Sequence, residues 1–168
     1  GTPGAGSLGQ LVIEAMLIKQ IANLNHVPYR GGAPLLTDFF GNHIPTAMTP
    51  ILPILQHAAA GTIVPLAVTS TARIAVLKDV PTFDEAGVPG FDVSSWYGIC
   101  TSGPLPKAVH AKFNADLVYL LEKSALRGRL EEQGIDVTPS TPEQFIEHVK
   151  KETARWAKVV KAANIGQE

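Results

Sequence analysis

Between positions 25 and 101, short apolar runs alternate with segments of helical period, and glycine or proline stands at almost every change. This alternation narrows the fold more than any other feature of the chain. The runs at 25–29 (NHVPY), 43–48 (HIPTAM), 63–69 (IVPLAVT) and 91–101 (FDVSSWYGICT) are too short for buried helices and suit strands. Between them lie helical segments near 33–40, closed by Gly41, and at 50–60, with Pro50 in its first turn and Gly61 after its end. A looser stretch at 70–90, punctuated by Pro81, Gly87, Pro89 and Gly90, holds one short helix at 82–86. Strands taking turns with helices favour an α/β sheet over a helical bundle.

The flanks are helical. Residues 8–24 (LGQLVIEAMLIKQIANL) are apolar around most of the circumference, which predicts a largely buried helix with Ser7 at its N-cap. A second helix is predicted at 105–123 with Val109, Phe113, Leu117, Leu120 and Leu121 on one stripe, and a short one at 125–133 stopped by Gly134. Thr141, Pro142 and Gln144 form a capping-box pattern that starts an amphipathic helix running to about 163, with Phe145, Val149, Trp156, Val159 and Val160 inward.

Composition removes several classes of function. With a formal net charge of -1 and charged residues at 17% of 168, the chain lacks the basic field that neutralises phosphates, so no nucleic-acid partner is expected. No apolar run reaches the length of about twenty residues that a membrane span requires. The single cysteine, Cys100, leaves no intramolecular disulfide and no multi-thiolate zinc site, and is expected as a small buried side chain. His26, His43, His57, His110 and His148 have neither ligand spacing nor companion carboxylates, so no metal and no cofactor are expected. The opening Gly1-Thr2-Pro3-Gly4 is neither a start methionine nor a signal peptide, and the expectation is that something has been removed upstream.

The loop before the first helix carries three readings. Gly4-Ala5-Gly6-Ser7-Leu8-Gly9 satisfies the dinucleotide spacing, but no strand-length segment precedes it and residues 21–37 contain no acid. Ala5-Gly6-Ser7-Leu8-Gly9 approaches a nucleophile elbow, which would make Ser7 the nucleophile of a serine hydrolase with Asp116 or Asp136 and His148 as partners. The third reading asks least: a glycine-rich loop at a helix N-terminus presents backbone N–H groups and the positive end of the dipole, Ser7 adds a hydroxyl, and the set suits a carboxylate or phosphate.

Further segments, taken in order, resemble one family. Gly4-Ala5-Gly6-Ser7 is followed by VPYRGGAPLLTDFFG at 27–41, LAVTSTAR at 66–73, DVPTFDEAGVPGF at 79–91, SSWYGICTSGPLP at 94–106 and KETARWAKVVKAANI at 151–165. Together they resemble the extracytoplasmic receptors of tripartite tricarboxylate transporters, the Bug-type solute-binding proteins. The resemblance implies an α/β, periplasmic-binding-protein-like (type II, flytrap) fold. Residues 1–95 would be ligand-binding lobe two, its N-terminal strand and helix missing, and 96–168 the hinge crossing with the C-terminal part of lobe one. It implies a non-enzymatic periplasmic receptor that clamps a small organic carboxylate between lobes and passes it to membrane transporter subunits. The ligand-binding residues it implies are Thr2, Ala5, Gly6 and Ser7 of the loop, Gln10, and the helix start near Thr49. Three positions depart from the family pattern: Gln10 stands where many members carry His, and Pro45 and Thr49 where an Asp is common. The alternatives are the hydrolase and a truncated copy that binds nothing. A lobe lacking an edge strand is further expected to self-associate.

Overall fold

A computed structural model describes residues 1–166. Six α-helices carry the architecture: α1 (Leu8–Ile18), α2 (Gly32–Phe40), α3 (Leu55–Ala59), α4 (Lys107–Lys123), α5 (Ala125–Glu131) and α6 (Pro142–Ala162). Single 3-10 turns stand at Leu52–Ile54 and Ala75–Leu77.

The predicted strands are extended segments that pair at single points. Thr2 bridges Pro28 in parallel, with Thr2 N–H donating to Val27 O and Tyr29 N–H to Thr2 O. The other side of the opening segment receives Met48 N–H at Gly1 O. A second bridge joins Val68 to Thr82, and Val93 N–H donates to Thr69 O. The chain thus sets 28, 2 and 48 side by side, and likewise 82, 68 and 93. Neither set extends into a ladder among the described residues. Proline supplies the reason: Pro3, Pro28 and Pro81 sit at or beside the bridged positions, Pro45 and Pro65 lie within the same runs, and none has an N–H to donate.

Other expectations shift at their edges. α1 stops at Ile18, six residues before its expected end, where Gln20 turns left-handed (φ 55°) and Ile21 N–H reaches back to Met16 O. The segment 50–60 divides into a 3-10 turn and α3, because Pro53 denies the α-helical pattern a donor. At 82–86 there is one turn, capped reciprocally by Thr82 and Glu85. The stripe on α4 is largely uncovered: Val109, Phe113 and Leu120 are about half exposed. Cys100 is exposed instead of buried, because 94–106 runs over the surface as bare extended chain.

The core is small. Val12, Phe91 and Val93 form its centre, with Leu8, Ala15, Met16, Met48, Phe83, Val88 and Trp156 packed around it. Phe83 meets Phe91 edge-on at 5.3 Å between ring centres, and Lys19 Nζ lies 4.9 Å from the Phe91 centroid. The terminal helix α6 reaches this core through Trp156 and so packs against α1.

Candidate functional site

The site forms where the opening loop enters α1. Thr2 is fully buried and holds the loop from within: its Oγ1 donates to Gly4 O at 3.2 Å and lies 2.7 Å from His26 Nε2. Burial lowers the pKa of half-buried His26, the Gly1 ammonium adds to that, and Glu14 opposes it. Ser7 N–H donates to Gly4 O at 3.2 Å, closing the turn, and Gly6 takes a left-handed φ of 72°.

Ser7 is the N-cap of α1: its Oγ accepts Gln10 N–H at 3.3 Å, and its backbone is extended. The N–H groups of Leu8 and Gly9 fall in the first turn, where helix geometry provides no intrahelical acceptor. No acidic residue occupies that turn, so the positive end of the helix has no compensating carboxylate within it. Gln10 Oε1 accepts Gly6 N–H at 2.7 Å, and its Nε2 reaches Glu14 Oε1 at 3.5 Å. The Gly6 amide is therefore already engaged by a side-chain oxygen.

Thr49 reaches the same place from the other side. A Cβ on Gly9 would stand 2.8 Å from Met48 O and 3.3 Å from the Thr2 methyl. Glycine at position 9 therefore lets α1 lie directly against the segment that delivers Thr49. Thr49 Oγ1 is buried and has no hydrogen-bond partner. Buried hydroxyls of this kind are uncommon, because an unmet polar group costs about 1–3 kcal/mol.

Ser7 and Thr49 line one open concavity of about 2900 Å3, which Ile51, Trp96, His148 and Arg155 also line. Ligand pockets are commonly about 300–1000 Å3, so a small ligand at Ser7 would fill one corner of this space. Of the six residues named from sequence, Thr2, Ala5, Gly6, Ser7 and Gln10 form one continuous loop and cap, and Thr49 faces it across the Gly9 contact. Asp136 and His148 line the same concavity as Ser7, but among the described residues no hydrogen bond joins the Ser7 hydroxyl to Asp116, Asp136 or His148. Asp116 pairs with Lys112 on α4, His148 stacks edge-on against Trp96, and the Ser7 Oγ contact is with Gln10 N–H. Among the described residues no group of three or more His, Cys, Asp or Glu side chains is placed to hold a metal ion.

The family profile described as tripartite tricarboxylate transporter family receptor matches residues 1–165. The chain belongs to that receptor family. Among the curated receptor-family relatives, the UPF0065 protein of the tcbD-tcbE intergenic region of Pseudomonas sp. is 30% identical over 158 residues, which are 94% of this chain and 47% of the relative. Protein BugT of Bordetella pertussis is 29% identical over 157 residues, 93% of this chain and 48% of BugT. The chain spans about half the length of these relatives. Two solved structures resemble it throughout: a periplasmic transporter at a TM-score of 0.83, and the periplasmic binding protein BugD at 0.79, each 28% identical. They match 96% and 98% of this chain, and 55% and 56% of their own. The fold is that of the periplasmic binding proteins.

Sequence reasoning named the loop but missed what shapes it. Gly9 was legible as a helix residue and as the last glycine of two loop patterns, but its close approach depends on Met48, 39 positions on. The Thr2–His26 contact spans 24 positions and left no local signal.

Proposed function

We propose that the chain contributes the second-lobe wall of a periplasmic receptor that captures a small organic carboxylate and delivers it to the membrane subunits of a tripartite tricarboxylate-type transporter. On this reading residues 1–95 belong to the ligand-binding lobe, and 96–168 cross the hinge and return to the first lobe. The function is capture, not catalysis.

One observation carries the carboxylate assignment. Thr49 Oγ1 is a buried hydroxyl with no partner, and it stands beside a helix N-terminus that has no acid in its first turn. The two are complementary to one anionic group. A carboxylate oxygen there would accept from the Thr49 hydroxyl and from the first-turn amides, with Ser7 Oγ and the Ala5 amide completing the cradle. Gln10 Oε1, an amide oxygen on Gly6 N–H, occupies the kind of contact a ligand oxygen would make, so Gln10 and ligand compete for that donor. Thr2 shapes the loop from beneath. Closure of the opposing lobe would exclude water and strengthen each of these contacts.

Thermal denaturation of the chain with acetate, succinate, malate and citrate tests the reading. A ligand present at about a hundred times its dissociation constant stabilises its receptor by about 2.7 kcal/mol. Ser7→Ala is expected to lessen that stabilisation while leaving helix content intact. A stabilisation unchanged by Ser7→Ala would remove Ser7 from the site, and covalent labelling of Ser7 by a fluorophosphonate would overturn capture in favour of hydrolysis.

A further inference from the structure

One turn of α6 is fastened to itself and to the ligand helix. Trp156 Nε1 donates to Glu152 Oε2 at 3.0 Å, Glu152 Oε1 lies 3.6 Å from Arg155 Nη1, and the Arg155 guanidinium sits 5.1 Å from the Trp156 ring centroid. Glu152 is the more enclosed member of its ion pair, with 17% of its side chain exposed against 37% for Arg155. An indole buries readily once its N–H has an acceptor, and here the acceptor comes from one turn earlier on the same helix.

The ring so held packs on the Val12, Phe91 and Val93 cluster. Leu8 and Met48 pack on that cluster as well. Leu8 directly follows Ser7, and Met48 directly precedes Thr49. A single apolar contact set therefore joins the two arms of the site, and α6 closes it from outside. α1 lies so near Met48 O that a Cβ on Gly9 would stand 2.8 Å from it, and the same cluster packs both Leu8 and Met48.

We propose that Trp156, oriented by Glu152, is a positioning residue for carboxylate capture: it fixes the distance between the α1 N-terminus and Thr49 without touching the ligand. The inference rests on the carboxylate reading of that site. Hydrogen bonds weaken steeply with misalignment, so a displacement of less than the length of one bond lowers affinity.

Three variants of the chain test it: Trp156→Ala, Glu152→Leu and Glu152→Gln. Glutamine retains an oxygen that accepts the indole N–H, whereas leucine does not. Hydrogen exchange in the absence of ligand is expected to quicken at residues 2–10 and 47–50 in Trp156→Ala and Glu152→Leu, with α4 and α5 unchanged, and to stay at its original rate in Glu152→Gln. Succinate and citrate affinity is expected to fall about tenfold in the first two and to stay within about twofold in the third. Exchange unchanged at the loop, or raised equally throughout the chain, overturns the proposal. So does a Glu152→Gln variant that behaves like Glu152→Leu. If the unsubstituted chain binds no carboxylate, the functional reading fails while the exchange pattern still decides the role of Trp156. If Trp156→Ala does not fold, the Glu152 pair decides it.

Discussion

Two residues store unfavourable energy that a substitution can release. Thr49 keeps a buried hydroxyl without a partner, so Thr49→Val removes the unmet group and retains the shape. Its melting temperature is expected to equal or exceed that of the parent in calorimetry, while carboxylate affinity falls. A drop in both would make Thr49 an ordinary structural residue. Gln20 adopts the left-handed conformation (φ 55°) that ends α1, a position where glycine avoids a side-chain penalty of about 1–2 kcal/mol. Gln20→Gly is expected to raise stability by about 1 kcal/mol in urea denaturation. The gain lies far from the loop, so ligand affinity should not change.

Among the elements, the opening loop has a stability that depends on pH through His26. His26 contacts Thr2 Oγ1 at 2.7 Å, and burial holds its pKa below the ordinary imidazole value of 6.5. Between that value and the lower folded one, the unfolded chain binds more protons than the folded chain. Stability therefore declines as the pH falls through this window. The urea midpoint is expected to drop as the solution is acidified below 6.5, and to drop less in His26→Gln. Equal slopes would exclude His26 as the source. The starts of α1 and α6 were legible in sequence because capping chemistry is local. Ser7 caps α1, and Thr141 and Gln144 cap α6 reciprocally, at 3.2 and 2.9 Å. Strand pairing was not legible, because it depends on partners 13 to 47 positions away and on prolines that remove donors. The α4 stripe was read correctly as a pattern, but a pattern names a face and not what covers it.

At the scale of the whole molecule, the described residues leave much apolar surface open. Val64, Leu66, Tyr97 and Ile99 are between 59% and 78% exposed, and they lie on extended segments whose backbone is paired at few points. Such edges are templates for another chain. The isolated chain is expected to self-associate, so sedimentation at rising concentration should show species heavier than 17.9 kDa. A single monomeric boundary across the range would show that these segments fold back in solution. The ordered motifs identified the receptor family from sequence because they recur along nearly the whole chain. The candidate site was legible as the loop and Thr49 but not as a juxtaposition, since Gly9 and Met48 meet through a contact between distant positions.

The Gln10 to Gly6 bond gives this loop an oxygen acceptor of its own. A cradle that supplies its own acceptor keeps its shape before any guest arrives. Under the proposed function, capture is then a substitution of one oxygen for another. Its enthalpy measures the difference between an amide and a carboxylate, not the full strength of either. Discrimination follows from that difference: a neutral ligand offers no better oxygen than the one already in place, and a charged one does.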